Sequence, residues 1–262
     1  MSEENSLKDN VADWLNNEGY PFEMRVAKEF SKYRYQVTQS SYYKDPFTEK
    51  SRELDVVATK RPKDLKQNIR FKFFVECKSS IDKPWIIFTS PHNHPSSPGL
   101  NVAITPHTGT LNEFMWELSK KVKFKAQLEL FRIPHEAGHS VVQSFNTGKD
   151  SAYESVNQVI NAVKANIDNE DEGRFGLDMI AYPLIVTDEK LFECKLDSSN
   201  EPVLTEVKRS TLVWYDDILG TPFTIVNIVT EEELSNLLET VEEELPEVFQ
   251  EYITHQKQKR EN

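Results

Sequence analysis

Hydrophobic positions along this chain switch between the helical and the extended period, and the switches outline its elements. Residues 7–17 and 21–33 read as two helices separated by Gly19-Tyr20-Pro21, with Pro21 suited to a first helical turn. In the second helix Val26, Ala27 and Phe30 stand three, four and seven positions after Glu23. They form an apolar stripe, so Glu23 leans toward the core. Extended, β-branched or aromatic segments follow at 35–43, around Asp55, at 69–79 and at 85–88, with a loop over 45–51. Pro91, Pro95, Pro98, Gly99, Pro106 and Gly109 make 89–110 a long loop.

Beyond that loop, 111–131 predicts a helix, 141–145 a strand and 153–167 a second clear helix, with Val156, Val159, Ile160, Val163 and Ile167 on one face. Segments 180–187, 191–196, 203–207 and 209–215 read as β-hairpins, and 224–229 as a last apolar strand. Leu234, Leu237, Leu238, Val241, Leu245 and Phe249 mark a helix over 231–250, interrupted by Pro246 and rich in acid. The pattern predicts an α/β chain: a core over 1–170 and a β-rich extension over 171–262, packed together as one domain. No repeat emerges beyond a doubled Glu-Cys-Lys triplet.

The first of those triplets, Glu76-Cys77-Lys78, carries the candidate chemistry. Strand side chains alternate faces, so Glu76 and Lys78 share one face while Val75 and Cys77 take the other. An acid and a base side by side on a buried strand need a partner or a metal. Asp55, in Leu54-Asp55-Val56, sits on an equally apolar strand and would complete the group. Two such carboxylates suit Mg²⁺, which takes oxygen ligands and keeps waters. The ion would polarise a phosphate oxygen and acidify a bound water.

Helix-Glu, strand-Asp and strand-Glu-x-Lys, in that order and with 76 − 55 = 21 residues from Asp to Glu, resemble the PD-(D/E)xK nuclease superfamily over residues 15–90. That superfamily includes restriction endonucleases, Mrr-type enzymes and Holliday junction resolvases. Leu54 stands where its motif usually has Pro. The resemblance implies a restriction-endonuclease-like core, a central mixed sheet flanked by helices, here with added C-terminal β-hairpins and an acidic helix. It implies catalytic roles for Glu23, Asp55, Glu76 and Lys78. Asp55, Glu76 and the main-chain carbonyl of Cys77 would hold Mg²⁺, or Mn²⁺ in its place. The activity implied is DNA endonuclease, with DNA favoured over RNA by analogy, in a bacterial restriction or anti-phage setting. Such enzymes often act as dimers or with partner proteins.

The second triplet, Glu193-Cys194-Lys195, follows the turn cluster Thr187-Asp188-Glu189-Lys190 and reads as the return strand of a hairpin. A second candidate motif is His135-Glu136-Ala137-Gly138-His139, a match to the His-Glu-x-x-His of helical zinc peptidases such as the FtsH type. Pro134 and Gly138 oppose a helix there, and 140–146 reads as strand. His92, His94 and His107 fall in the Pro-rich loop, and Trp14, Trp85, Trp116 and Trp214 are scattered, most of them expected in the core.

Composition sharpens the picture only in places. The chain shows no membrane-spanning apolar run and opens on a polar, acidic stretch without a signal-peptide pattern. Its two cysteines make no disulfide framework, so a reducing cytoplasm is expected. A net charge of −12 argues against a simple nucleic-acid binder, because phosphate affinity comes from Lys and Arg. The distribution is uneven, however. Lys60, Arg61, Lys63, Lys66, Arg70 and Lys72 lie between the candidate strands, and Lys120, Lys121, Lys123 and Lys125 cluster. Local basic surfaces are therefore expected. Acid concentrates in the C-terminal helix, whose apolar stripe is a candidate dimer or partner surface. An inactive nuclease fold retained for partner binding is the non-enzymatic alternative.

Overall fold

The computed structural model describes residues 2–62, 69–79, 83–91, 103–104, 109–120, 128–148, 150–171, 178–215, 218–219 and 223–261. Within them the chain is a mixed α/β protein built on one central sheet with helices on both faces. The strands are β1 (Gln36–Lys44), β2 (Ser51–Lys60), β3 (Ile69–Lys78), β4 (Trp85–Ser90), β5 (Ala103–Ile104), β6 (Ala137–Gln143), β7 (Asp178–Thr187), β8 (Leu191–Leu196), β9 (Pro202–Val207), β10 (Arg209–Trp214) and β11 (Thr224–Thr230). They run β1-β2-β3-β7-β11-β10-β6-β4-β8-β9 across the sheet, with β5 beside β7.

The centre is parallel. β3 pairs β7 in parallel over ten positions, from Ile69–Asp178 to Lys78–Thr187, and β7 pairs β11 in parallel. Strands covered on both faces lose the polar alternation of half-exposed ones, and β7 is buried at every position. Pro183, which has no N–H to give a ladder, lies between the pairings of Ala181 with β5 and of Leu184 with β11.

The helices are α1 (Ser2–Asn17), α2 (Tyr20–Lys32), α3 (Gly109–Lys120), α4 (Ser151–Asp171) and α5 (Leu234–Glu261). On one face α2, α3 and α5 pack over Phe71, Phe73, Val75 and Cys77. On the other face α4 packs over Phe74, Ile185, Leu212 and Ile228. Alternation along β3 therefore turns Arg70, Lys72, Phe74, Glu76 and Lys78 to the α4 face.

Several expectations are corrected. Residues beyond 171 are not an extension beside a core, since β7 and β11 fill the middle of the sheet. β8 does not return along β7; it pairs β4 in parallel and β9 in antiparallel fashion. The expected loop over 89–110 contains β5 and the start of α3, and the helix expected to reach residue 131 is described only to Lys120. α5 runs through Pro246 to Glu261. The proline withholds one N–H from the helix, and the buried Leu245, Val248 and Phe249 around it hold the turn in place.

The charge pattern is also largely spoken for. The apolar stripe of α5, expected as a partner surface, is core: Leu234, Leu237, Leu238, Val241, Leu245 and Tyr252 are buried. Some of its acids, and Glu231 just before it, meet cations or main-chain amides of neighbouring elements. Glu242 receives Lys60 at 2.7 Å, Glu231 receives Arg25 at 2.6 Å, and Glu244 accepts the main-chain N–H groups of Glu129 and Leu130. Arg70 and Lys72 are buried, so the basic surface expected between the two candidate strands is not formed by them. Lys63, Lys66, Lys121, Lys123 and Lys125 lie outside the described residues. No described helix is long and apolar enough to cross a membrane.

Candidate active site

The candidate residues converge where β2 and β3 part. Regular pairing of the two strands ends at Val56–Val75. The next residue, Asp55, turns its carboxylate to the partner strand, and Oδ2 accepts the Cys77 main-chain N–H at 2.6 Å. Strand β2 rotates at this point. Leu54 and Val56, two apart, should share a face, yet Leu54 packs in the α4-side core and Val56 in the α2-side core. Ser40 stands opposite in the β1–β2 register, between the pairs Gln39–Val56 and Ser41–Leu54, with φ at 51°. A left-handed residue other than glycine costs strain, and such positions gather at functional sites.

Glu76 follows from the alternation of β3 and is fully buried. Neither of its oxygens has a well-aligned hydrogen bond among the described residues. Its charge is offset by Lys78, whose Nζ lies 2.7 Å from Oε1. Burial pushes the Glu76 carboxyl from 4.5 up to about 8, and the neighbouring Asp55 adds to the rise while Lys78 opposes it. Burial also raises Asp55, against the pull of the Cys77 amide and Lys78. For Lys78, burial works against the ammonium, but Glu76 and Asp55 outweigh it and hold the group above its usual value.

Glu23 stands in the first turn of α2, which begins after Gly19 in the left-handed region at φ 77°. It is half-buried, and burial followed by Asp55 and Glu53 pushes its carboxyl up to about 7. Glu23 and Glu76 each feel Asp55 and Lys78, so all four predicted residues form one electrostatic group. Cys77 itself is buried on the opposite face, its thiol raised by burial; only its main chain addresses the site.

Sequence reasoning passed over several supports. Tyr43 feels Glu76, and its hydroxyl donates to the Gln158 carbonyl of α4 at 3.1 Å. The Gln158 amide donates to the Glu53 carbonyl at 3.0 Å. Ser79 Oγ donates to Asp188 at 2.6 Å, and the Asp188 N–H closes on the Lys78 carbonyl at 3.3 Å. These last contacts tie the ends of β3 and β7 and hold Lys78 in register. The run Thr187-Asp188, read from sequence only as a turn, was the one available signal.

The other motifs separate from this group. Glu193 accepts Ser210 Oγ at 2.7 Å and Lys195 pairs with Glu136 at 2.6 Å, so the second triplet is a structural one. His135 and Glu136 lie in a bend and His139 on β6, beside the Phe88 ring. The His-Glu-x-x-His zinc motif sets its two histidines on one helix face, and this segment is bend and strand rather than helix. Gly138 is fixed by packing: a Cβ there would meet Ile87 Cγ2 at 2.5 Å. His92, His94 and His107 lie outside the described residues. Trp85 is buried as expected, whereas Trp14 and Trp116 are about half exposed.

Among the described residues no group of three or more His, Cys, Asp or Glu side chains is gathered as a ready-made metal cage. Mg²⁺ is usually held by one or two carboxylates together with waters and substrate phosphates. A buried carboxylate whose one close donor among the described residues is the Lys78 ammonium is a fitting ligand for a hard cation. Compared with known protein families, curated proteins and solved structures, the chain matches none.

Proposed function

We propose that this chain is a Mg²⁺-dependent endonuclease with a restriction-endonuclease-like core, acting on DNA. The carrying observation is the buried Glu76 carboxylate, paired by Lys78 and set beside Asp55 at the parting of two strands. Asp55 and Glu76 would hold the cation, with the Cys77 carbonyl as a further oxygen donor. A divalent cation bound there supplies Lewis acidity toward a phosphate oxygen and a water of lowered pKa.

The chain's own residues supply the rest. The Asp55 carboxylate is locked by the Cys77 amide, so its free oxygen is oriented before any ligand arrives. Lys78, itself held by the Ser79–Asp188 tie, places an ammonium where charge develops on phosphorus and orients the attacking water. Glu23 approaches from the helix on the other face and takes up a proton near neutral pH. The zinc peptidase alternative lacks its helix, and the partner-binding alternative lacks its exposed α5 stripe.

The test compares purified wild type with Glu76→Ala and Lys78→Ala. Plasmid, linear and single-stranded DNA, and RNA, are offered with Mg²⁺, Mn²⁺ or EDTA. Cleavage by wild type that disappears in both variants and in EDTA supports the reading. Cleavage that survives both substitutions, or no cleavage of any substrate by wild type, overturns it.

A further inference from the structure

A cleft of about 840 Å³ opens at the far end of α2 from Glu23, between the last turn of α2, the end of β2 and α5. With thirteen residues in α2, the two ends stand roughly 20 Å apart. The volume falls within the range of small-molecule sites. Leu245, Pro246 and Ile253 of α5 line it with Tyr33, and Lys32, Arg34, Lys60 and Arg61 bring positive charge to it.

These cations are not equivalent. Lys60 is consumed: its ammonium donates to both Glu242 oxygens at 2.8 and 2.7 Å and to the Tyr33 carbonyl at 2.5 Å, and it sits over the Tyr35 ring. Lys32 pairs with Glu29. Arg34 and Arg61 are exposed at the cleft, and neither has a carboxylate partner among the described residues. In an acidic chain whose C-terminal carboxylates are in large part drawn to cations or amides, two guanidiniums on one cleft without a carboxylate partner among the described residues stand out. Arg34 also occupies the left-handed position that ends α2, at φ 62°. Glycine fills that position more cheaply, so the arginine stands there against a backbone preference.

We propose that this cleft binds a nucleotide unit, with the phosphates on Arg34 and Arg61 and the ring on the Tyr33–Pro246 floor. A guanidinium fork matches phosphate geometry, and a pair of them matches more than a single negative charge. The site is separate from the Asp55–Glu76 group and does not depend on the nuclease reading.

The test is calorimetric titration of the full chain in EDTA. The probes are nucleoside mono- and triphosphates, the matching nucleosides, inorganic phosphate, a short single-stranded oligonucleotide and a fatty acid. Nucleotides should bind at one site per chain, with nucleosides at least about tenfold weaker for the lost charge-assisted contacts and inorganic phosphate about tenfold weaker for the lost ring contact. Arg34→Gly and Arg61→Gln should each weaken nucleotide binding about tenfold, and Lys195→Ala, which removes only a surface pair with Glu136, should leave it unchanged. Because Arg34→Gly relaxes the backbone, its melting temperature should match or exceed that of wild type, which separates lost binding from lost folding. Equal affinity for the oligonucleotide keeps the proposal and assigns the unit to a strand. Absence of saturable nucleotide binding, binding indifferent to both arginine substitutions, or preference for the fatty acid overturns it.

Discussion

Replacing Glu76 by Gln should stabilise the metal-free protein, and the gain should grow with pH. A carboxyl group whose folded value lies above its unfolded one weakens the fold wherever the unfolded chain ionises and the folded one does not. For Glu76 that window runs from 4.5 to about 8. Below it both states are protonated and nothing is lost. As pH rises through it, the folded state falls behind by about 1.36 kcal/mol for each unit of pH. At pH 7 the deficit is about 3 kcal/mol, and above pH 8 it levels off at about 5 kcal/mol. Gln keeps the shape, keeps an oxygen for Lys78 and carries no charge to bury. Lys78, 2.7 Å away, already lowers the folded value, so the deficit is net of its attraction.

The assay is thermal or urea unfolding in EDTA between pH 5 and 9. For a chain of 262 residues, 1 kcal/mol moves the melting temperature by roughly 2 °C. Wild type should lose stability steadily across this range and the Glu76→Gln variant much less, the residual slope belonging to Glu23 and Asp55. Adding Mg²⁺ or Mn²⁺ at pH 8 should raise the wild-type midpoint, because binding to the ionised folded state is linked to folding. The variant should respond weakly or not at all. Parallel pH profiles for the two proteins would refute the buried, unsatisfied carboxylate, and with it the main support for a cation at this position.

Asp55→Asn should abolish cleavage while leaving the metal-free midpoint equal to or above wild type, since the amide oxygen still accepts the Cys77 N–H seen at 2.6 Å; a large destabilisation in EDTA would contradict this. Gly138→Ala should destabilise by about 1–3 kcal/mol, because its Cβ would meet Ile87 Cγ2 at 2.5 Å and Leu212 Cδ1 at 3.3 Å; denaturant midpoints at equal slope would show it. Leu238→Ala should cost about 2–5 kcal/mol with no change in oligomeric state by light scattering, as befits a core residue at 0% exposure rather than a partner contact.

The parts of this structure legible in the sequence are those that local chemistry decides. Strand alternation alone places Glu76 and Lys78 on one face, and the stripe after Glu23 alone turns that residue inward. The sheet order was not legible, because parallel pairing carries no turn signal: β3 and β7 lie about a hundred residues apart and meet only through a distant crossover. The reading of β8 failed for the same reason, since a turn cluster after β7 looks like a hairpin whether or not the chain crosses to β4. Arg70 and Lys72 were misjudged because basic residues were counted before their strand was seen to be covered on both faces. The α5 stripe was visible, but an amphipathic pattern does not say whether its apolar side meets this chain or another.

The two carboxylates of the site differ in a way that the sequence does not hint at. Asp55 takes over a place in the ladder: where regular pairing of β2 and β3 stops, its side chain accepts the Cys77 N–H. One oxygen is thereby fixed by the fold, and burial is offset by a main-chain donor. Glu76, one residue before Cys77, has no such donor among the described residues and is the more deeply buried. A protein that needed only structure could place Gln or Met at this position and avoid the penalty, since replacing buried charges by neutral side chains of similar volume is often neutral or stabilising. The arrangement makes physical sense if one acid is held still by the backbone and the other is left unsatisfied beside it, so that a cation arriving between them meets one oriented ligand and one whose burial cost it relieves.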